Sequence, residues 1–387
     1  MKTQLHPFGN PIPWTILILL LLQNAWLFSA QTRVRSEVNF PDIPGYVTLK
    51  CDFHMHTVFS DGQVWPTVRV EEAWRQGLDA IAITDHIEYK PHKADVSTNY
   101  NRSYELAKGS AENLNLILIK AAEITRGEPP GHLNALFLDQ IEPLRNTNVW
   151  EAVKAAAEQG AFIFWNHPGW KQPNNKSVWY KEQGEFYDQG WLKGLEVVNG
   201  SDYDPIVHRW SVRKRLTMLA DSDVHGPILM DMDTANGEHR PMTLVFATER
   251  TAGAIKDALF ARRTAIYSQN LLIGDEMFLT PMFNQSIQVK NPELAIRGKG
   301  STMVQIFNKS SIPIELVTEG SLKEVTLPPK LTLYAGKTVL LELRGKTNNL
   351  SGTKELVLPY RANNFKITPK QALPVGIKVK VTFTPKA

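Results

Sequence analysis

The sequence predicts an α/β barrel followed by an all-β sandwich, and three observations predict it. From about residue 45 to 275, short apolar runs alternate with stretches of helical period, as in repeated strand–helix units. After Leu279 the pattern changes to β-type runs separated by turn residues. Residues with metal-binding chemistry recur at the ends of the apolar runs, and in an α/β barrel strand ends converge on one face.

At 387 residues, 43% hydrophobic and 21% charged, the chain can bury a large core and exceeds the needs of one small domain. The expected divisions are a targeting segment over 1–30, a barrel over 40–275 and a basic β-sandwich over 280–387. Lys2, an apolar core from Trp14 to Leu22, the polar pair Gln23-Asn24 and the small residues Ser29-Ala30 read as a secretory signal. Ala25 to Phe28 lengthen that core enough to make an uncleaved anchor the alternative. The expected location is therefore periplasmic or secreted, with membrane anchoring if the segment stays.

The strands and helices of the barrel follow from period. Tyr46 to His56 reads as a strand from Val47, Leu49, Cys51 and Phe53, which puts His54 and His56 on one face. Cys51 is the only cysteine, so no intrachain disulfide can form, and it reads as a small buried apolar residue. Pro66 opens a helix that stops at Gly77, before the buried strand Ala80 to Thr84. A helix from Tyr104 to Leu114, a strand from Leu116 to Ile124 and a strand from Gly131 to Leu138 come next. A helix from Trp150 to Gln159, ended by Gly160, leads into the strand Ala161 to Trp165. Leu195 to Asn199 is a strand; Asp204-Pro205 supply the N-cap and first residue of a helix to about Leu216. Strands at Thr217 to Ala220 and Met242 to Ala247, a helix from Thr251 to Arg262 and a strand from Ala265 to Ser268 complete the barrel. Beyond Leu279 no amphipathic helix is expected, only strands near 302–307, 314–317, 332–334, 338–343, 356–358 and 377–383. The net charge of +4 conceals a split: residues 278 to 387 hold 13 Lys and 3 Arg against 6 Glu and no Asp, a surplus of +10, leaving −6 for the rest. This basic domain suits an anionic surface or polymer, although a solvated lysine-rich face is the simpler reading.

Chemistry concentrates at strand ends. His54, His56 and then Asp61 in a Ser-Asp-Gly turn follow the first strand, Asp85-His86 the second, and Glu123 lies near the end of the third. Asn166-His167-Pro168 and Asp221-Ser222-Asp223-Val224-His225 close later strands, and His132 opens its own run after Pro129-Pro130-Gly131. Singly, each is more simply a hydrogen-bonded or capping residue. Jointly, histidines and carboxylates without thiolates suit Zn, Mn or Fe. His6, His92, His208 and His239 lie away from this pattern. The aromatic-rich segment from Gly169 to Gly190 is a candidate wall or lid, with packing on the barrel rim as the plainer alternative.

On His54-x-His56 with Ser60-Asp61-Gly62, Thr84-Asp85-His86, Glu123, His132, Asn166-His167-Pro168 and Asp223-Val224-His225, residues 45 to 272 resemble the PHP (polymerase and histidinol phosphatase) superfamily. The resemblance implies a distorted barrel of seven strand–helix units, a (β/α)7 PHP-type fold, and three divalent ions. It implies His54, His56, Glu123 and Asp223 for the first ion. Glu123, His132 and His167 serve the second, with Glu123 bridging, and Asp61, His86 and His225 the third. Asp221 shares a strand face with Asp223 and is an alternative ligand, and Asp85 is expected to support a ligand. Clustered ions depress the pKa of a bridging water, so that hydroxide attacks phosphorus in line while ions neutralise the phosphoryl oxygens. Glu123 and Asp223 are the expected catalytic carboxylates, and Arg126 a candidate phosphate donor or, equally, a loop arginine. The expected substrate is a small-molecule phosphoester, a phosphodiester ahead of a monoester, and no obligate protein partner is evident. The alternatives are a surface binding protein working through its β domain and an amidohydrolase-like enzyme.

Overall fold

The computed structural model describes residues 33–233 and 238–386, so the targeting segment expected over 1–30 lies outside the described residues. No described helix is long and apolar enough to cross a membrane. The barrel strands are β1 Val47–Asp52, β2 Ala80–Ile83, β3 Ile117–Ile124, β4 Leu133–Leu136, β5 Phe162–Trp165, β6 Leu192–Asn199, the short β7 Asp202–Tyr203, β8 Thr217–Asp221, β9 Met242–Ala247, β10 Thr264–Ser268 and β11 Leu271–Gly274.

The barrel is distorted in a specific way. Strands β1, β2 and β3 run parallel, as do β5, β6 and β8, but β4 is antiparallel between β3 and β5, with Glu123 opposite Asn134. Strands β9 and β10 are also antiparallel to their neighbours. Between β8 and β9 the contact is made by side chains: Thr243 Oγ1 accepts from the Ala220 amide and donates to its carbonyl, at 2.9 and 3.0 Å.

The core is apolar where continuous runs demanded it: every residue of β2, β4, β5, β9 and β10 is buried. Cys51 is fully buried on β1, where burial pushes its thiol pKa well up. Asp204 caps the helix Pro205–Lys214, accepting from the amides of Ile206 and Val207.

Three expectations need correction. β1 stops at Asp52, four residues before His56, because the Phe53 amide turns to Asp221 Oδ1 at 2.7 Å and the Met55 amide to Thr84 Oγ1 at 3.1 Å. The segment Gly169–Gly190 is no long loop: it contains the helix Lys181–Asp188, which buries Phe186. A helix also spans Glu276–Ser286, past Leu279; it buries Phe278, Leu279, Met282, Phe283 and Ser286 on one face, while Pro281 inside it reads in sequence as a helix stop.

The C-terminal domain is a sandwich. One sheet orders β12 Ile287–Val289, β14 Ser301–Asn308, β18 Thr338–Gly345 and β16 Val325–Thr326. The facing layer orders β13 Glu293–Arg297, β20 Gln371–Thr384, β19 Gly352–Thr368, β15 Ile314–Thr318 and β17 Lys330–Leu333. It continues the barrel sheet, because β11 pairs parallel with β19 at Leu272–Phe365 and Ile273–Lys366. Several of its cations are spent on glutamates, including Lys354 on Glu324 and Lys380 on Glu293.

Two buried arginines tie the ends of β1 and β8 together. Arg240 donates to Asp52 at 2.8 Å, with neither side chain exposed. Arg69 donates to the carbonyls of His56, Val224, His225 and Gly226 at 2.7 to 3.0 Å and pairs with Glu72 at 2.7 Å. Arg69→Leu would take a donor from four carbonyls and the charge partner from Glu72, leaving the Val224 and His225 carbonyls only their backbone donors, and is expected to cost about 3–5 kcal/mol of unfolding free energy. Urea titration checks this, and a loss near that of a surface substitution would show that the clamp is dispensable.

Candidate metal centre

The topology explains which strand ends meet. Parallel strands present their C-terminal ends on one face, whereas an antiparallel strand presents its start there. His132, just before β4, therefore joins Glu123 on β3 and His167 after β5. His54 and His56 follow β1, and Asp223 and His225 follow β8. All nine expected ligands fall in interlocking groups whose donor atoms lie within 4.8 Å of one another.

The first group is the most regular. His54 Nε2 and His56 Nε2 each lie 3.1 to 3.2 Å from both Glu123 Oε2 and Asp223 Oδ1. Donors ~2.0–2.2 Å from one ion are roughly 3 Å apart, so these four atoms have the spacing of one coordination shell. Glu123 Oε1, its other oxygen, is 2.5 Å from His132 Nδ1, so the carboxylate faces two groups. His167 Nε2 is 3.9 Å from Asp223 Oδ2, and His167 groups with His54 and Glu123, while His132 groups with His86 and Glu123. Around Asp61 Oδ1 lie His225 Nε2 at 3.2 Å, His86 Nε2 at 3.5 Å and His56 Nδ1 at 3.8 Å. His56 thus stands between two groups, its ring stacked 4.2 Å from that of His225.

Six polar atoms of these residues, His56 Nε2, Asp61 Oδ1, Glu123 Oε1, His132 Nδ1, His167 Nδ1 and Asp223 Oδ1, are buried without a well-directed hydrogen bond, several of them facing one another across the cluster. Leaving that many polar atoms poorly paired would be costly, and divalent ions are what this donor set is built to hold. The backbone is strained for the purpose: His167 and Asp223 adopt φ of 30° and 52°, left-handed values rare outside glycine. At Gly62 a Cβ would lie 2.5 Å from the His56 carbonyl carbon, so only glycine lets the turn bearing Asp61 close over His56.

The supporting residues are those least visible in sequence. Glu196, buried on β6, binds His54 Nδ1 at 3.0 Å and accepts from the His167 amide at 2.6 Å. Its one sequence signal was an acid inside the apolar run Leu195 to Asn199. Asp221, the alternative ligand, instead holds the Phe53 amide. Asp85 accepts from the Thr57 amide, Thr57 Oγ1 and Ser60 Oγ at 2.7 to 2.9 Å, ordering the loop that carries Asp61. Arg126 points elsewhere: its guanidinium binds Glu88 and the carbonyls of Thr125 and Asn146. Of the remaining histidines, His208 bonds Tyr203 Oη at 2.9 Å and His239 stacks on Tyr267. Trp179, Tyr180, Phe186 and Tyr187 pack on the barrel core, whereas Trp170 is 42% exposed with its ring 4.9 Å from His132 and 5.1 Å from His167, and walls the site.

Without ions the carboxylates hold protons on the imidazoles. Burial opposes the charge on His56, but the carboxylates of Asp223 and Glu123 beside it outweigh burial and raise its pKa to about 9; Asp223, Glu196 and Glu123 raise that of His54 likewise. Glu123, Asp223 and Asp61 are lowered, the surrounding histidines overcoming burial. His167, where burial dominates, falls to about 4. A group with a raised folded pKa stabilises fully below its unfolded value, 6.5 for His56, and loses this as pH rises through the folded value. Metal-free protein is therefore expected to lose thermal stability from pH 6.5 to 9, and saturating divalent metal, which replaces those protons, to remove the decline. Melting curves with and without metal check this; a flat metal-free profile would contradict it.

Known proteins resemble both halves of the chain. A family model described as an Ig-like domain matches residues 287–378. An uncharacterized protein of Methanocaldococcus jannaschii is 36% identical over 81 residues, 21% of this chain, and the chain spans only 36% of that relative's length. A crystal structure from Bacteroides vulgatus ATCC 8482, described as a two-domain protein containing a predicted PHP-like metal-dependent phosphoesterase, is 42% identical. The match covers 90% of this chain and 100% of that one, with a TM-score of 0.85. With nine clustered candidate ligands at the strand ends of a distorted barrel and a sandwich behind it, the chain belongs to the two-domain PHP-like metal-dependent phosphoesterases.

Proposed function

We propose that this protein is exported and hydrolyses small phosphoesters, phosphodiesters in preference to monoesters, with three divalent ions of Zn, Mn or Fe. The observation that carries the proposal is the set of buried polar atoms without a well-directed hydrogen bond on His56, Asp61, Glu123, His132, His167 and Asp223. When bound, divalent ions supply Lewis acidity toward the phosphoryl oxygens and a water acidic enough to attack at neutral pH.

The chain's own residues do the rest. Glu196 fixes the ring of His54 through Nδ1 and so aims Nε2 at the cluster. Glu123 stays ionised and offers one oxygen to each of two donor groups. Asp223 shares Oδ1 with His54 and His56, leaving Oδ2, which accepts from Asn199 Nδ2 at 3.3 Å, to take the proton of the attacking water. Trp170 shields the His132 and His167 side from bulk water. Arg126 binds the reacting phosphate only by exchanging Glu88 for it, so its contribution is the smallest.

Protein loaded with Mn or Zn is expected to contain about three ions per chain. It should release p-nitrophenol faster from bis(p-nitrophenyl) phosphate than from p-nitrophenyl phosphate, and to leave p-nitroanilide amides intact. His54→Ala and Glu123→Ala should lower kcat/KM by roughly a thousandfold or more, through lost ions. Amide turnover without ester turnover would move the reading to amidohydrolase chemistry. Glu196→Gln should keep the fold while weakening metal binding by about 10–100-fold, measured by competition with a chelating dye; unchanged affinity would remove Glu196 from the site.

A further inference from the structure

Beside the cluster lies a cavity of about 830 Å³ that the chemistry above does not use. Among its lining residues are Lys90, Lys93, Arg126 and Arg145, opposed by one acid, Glu88. Thr125 belongs to both places: it lines the cavity, and its hydroxyl meets His86 Nδ1 at 2.7 Å. Ile87, which follows His86, also lines it. Cavity and cluster therefore share a wall.

Lys90 differs from the solvated lysines of the β domain, whereas Lys93 and Arg145 are exposed at the cavity rim. Lys90 is half-buried, its ammonium held 3.4 Å above the centre of the Tyr100 ring. Burial draws its pKa down to about 8 against the pull of Asp85 and Glu142, as for a cation short of an anionic partner. Lys93 and Arg145 have no ion-pair partner among the described residues. Arg126 is balanced by Glu88, leaving Lys90, Lys93 and Arg145 as the uncompensated charge. Three cations converging on one concave space attract anions more strongly than the same charges spread over a convex surface.

We infer that this cavity binds a second phosphate group of the substrate, so that the natural substrate is a small phosphoester carrying another phosphate remote from the bond that is cut. The inference rests on the phosphoesterase reading and narrows its substrate class. The second group holds the substrate by charge while the reacting phosphoryl lies over the cluster, and the binding energy so gained orients the scissile bond.

The test uses p-nitrophenyl alkyl phosphodiesters with and without a terminal phosphate, the chain varied from two to six carbons, together with the corresponding alkyl phosphates as monoesters. The full-length, metal-loaded protein is expected to prefer the terminally phosphorylated member at least tenfold in kcat/KM at one spacing, through KM. Lys90→Gln/Lys93→Gln/Arg145→Gln should abolish that preference while turnover of the unphosphorylated esters stays within twofold, and moderate salt should mimic the variant. Hydrolysis without preference at any spacing, or equal losses on both ester series in the variant, would overturn the inference and leave the phosphoesterase reading standing. No hydrolysis of any ester would overturn both.

Discussion

Everything at the site depends on the ends of β1 and β8 being fastened together. Each strand delivers ligands just beyond its last residue, and neither delivery is in register unless the two backbones are locked. Asp52, the last residue of β1, receives Ser222 through both amide and hydroxyl, at 3.0 and 2.6 Å, while Asp221, the last of β8, receives the Phe53 amide. Arg240 supplies the charge that Asp52 needs to remain buried, and Arg69 collects the carbonyls on both sides. His54 and Asp223 then face each other at 3.1 Å. The fastening is polar and buried, so it is costly to disturb and tolerates little slack.

The antiparallel β4 solves a different problem. The candidate ligand His132 lies between β3 and β5, where a parallel strand would have required a crossover helix and offered its side chain at its C-terminal end. Reversing the strand places its first residues at the active face after a short connection, which brings in His132. After the neighbouring β5, and again after β8, His167 and Asp223 hold left-handed backbone that a purely structural chain would assign to glycine.

Much of this was legible in the chain. Continuous apolar runs such as Ala80 to Ile83 and Phe162 to Trp165 announce buried strands, and capping at Asp204 announces a helix start, because both signals are local. The ligand histidines stood out because metal chemistry has few residue types to choose from. Less visible was what depends on distant partners. Asp52 and Asp221 look like ordinary strand-end acids until their mutual amide partners are known, and Arg69 looks like a surface residue of an amphipathic helix although it is fully buried. Glu196 betrayed itself only as an acid in an apolar strand. The helix Glu276–Ser286 is hard to read because Pro281 sits inside it and the exposed Met277 blurs the apolar face of Phe278, Leu279, Met282 and Phe283 that packs between barrel and sandwich.

The central proposal is that one cluster built from these strand ends binds three ions, with Glu123 shared between two of them. The most direct measurement is a crystal structure of the manganese-loaded protein with anomalous scattering recorded at the metal edge. The account predicts three anomalous peaks within coordination distance of the nine ligands, with the two oxygens of Glu123 on different ions. A single peak, or peaks lying away from His54, Glu123 and Asp223, would contradict it.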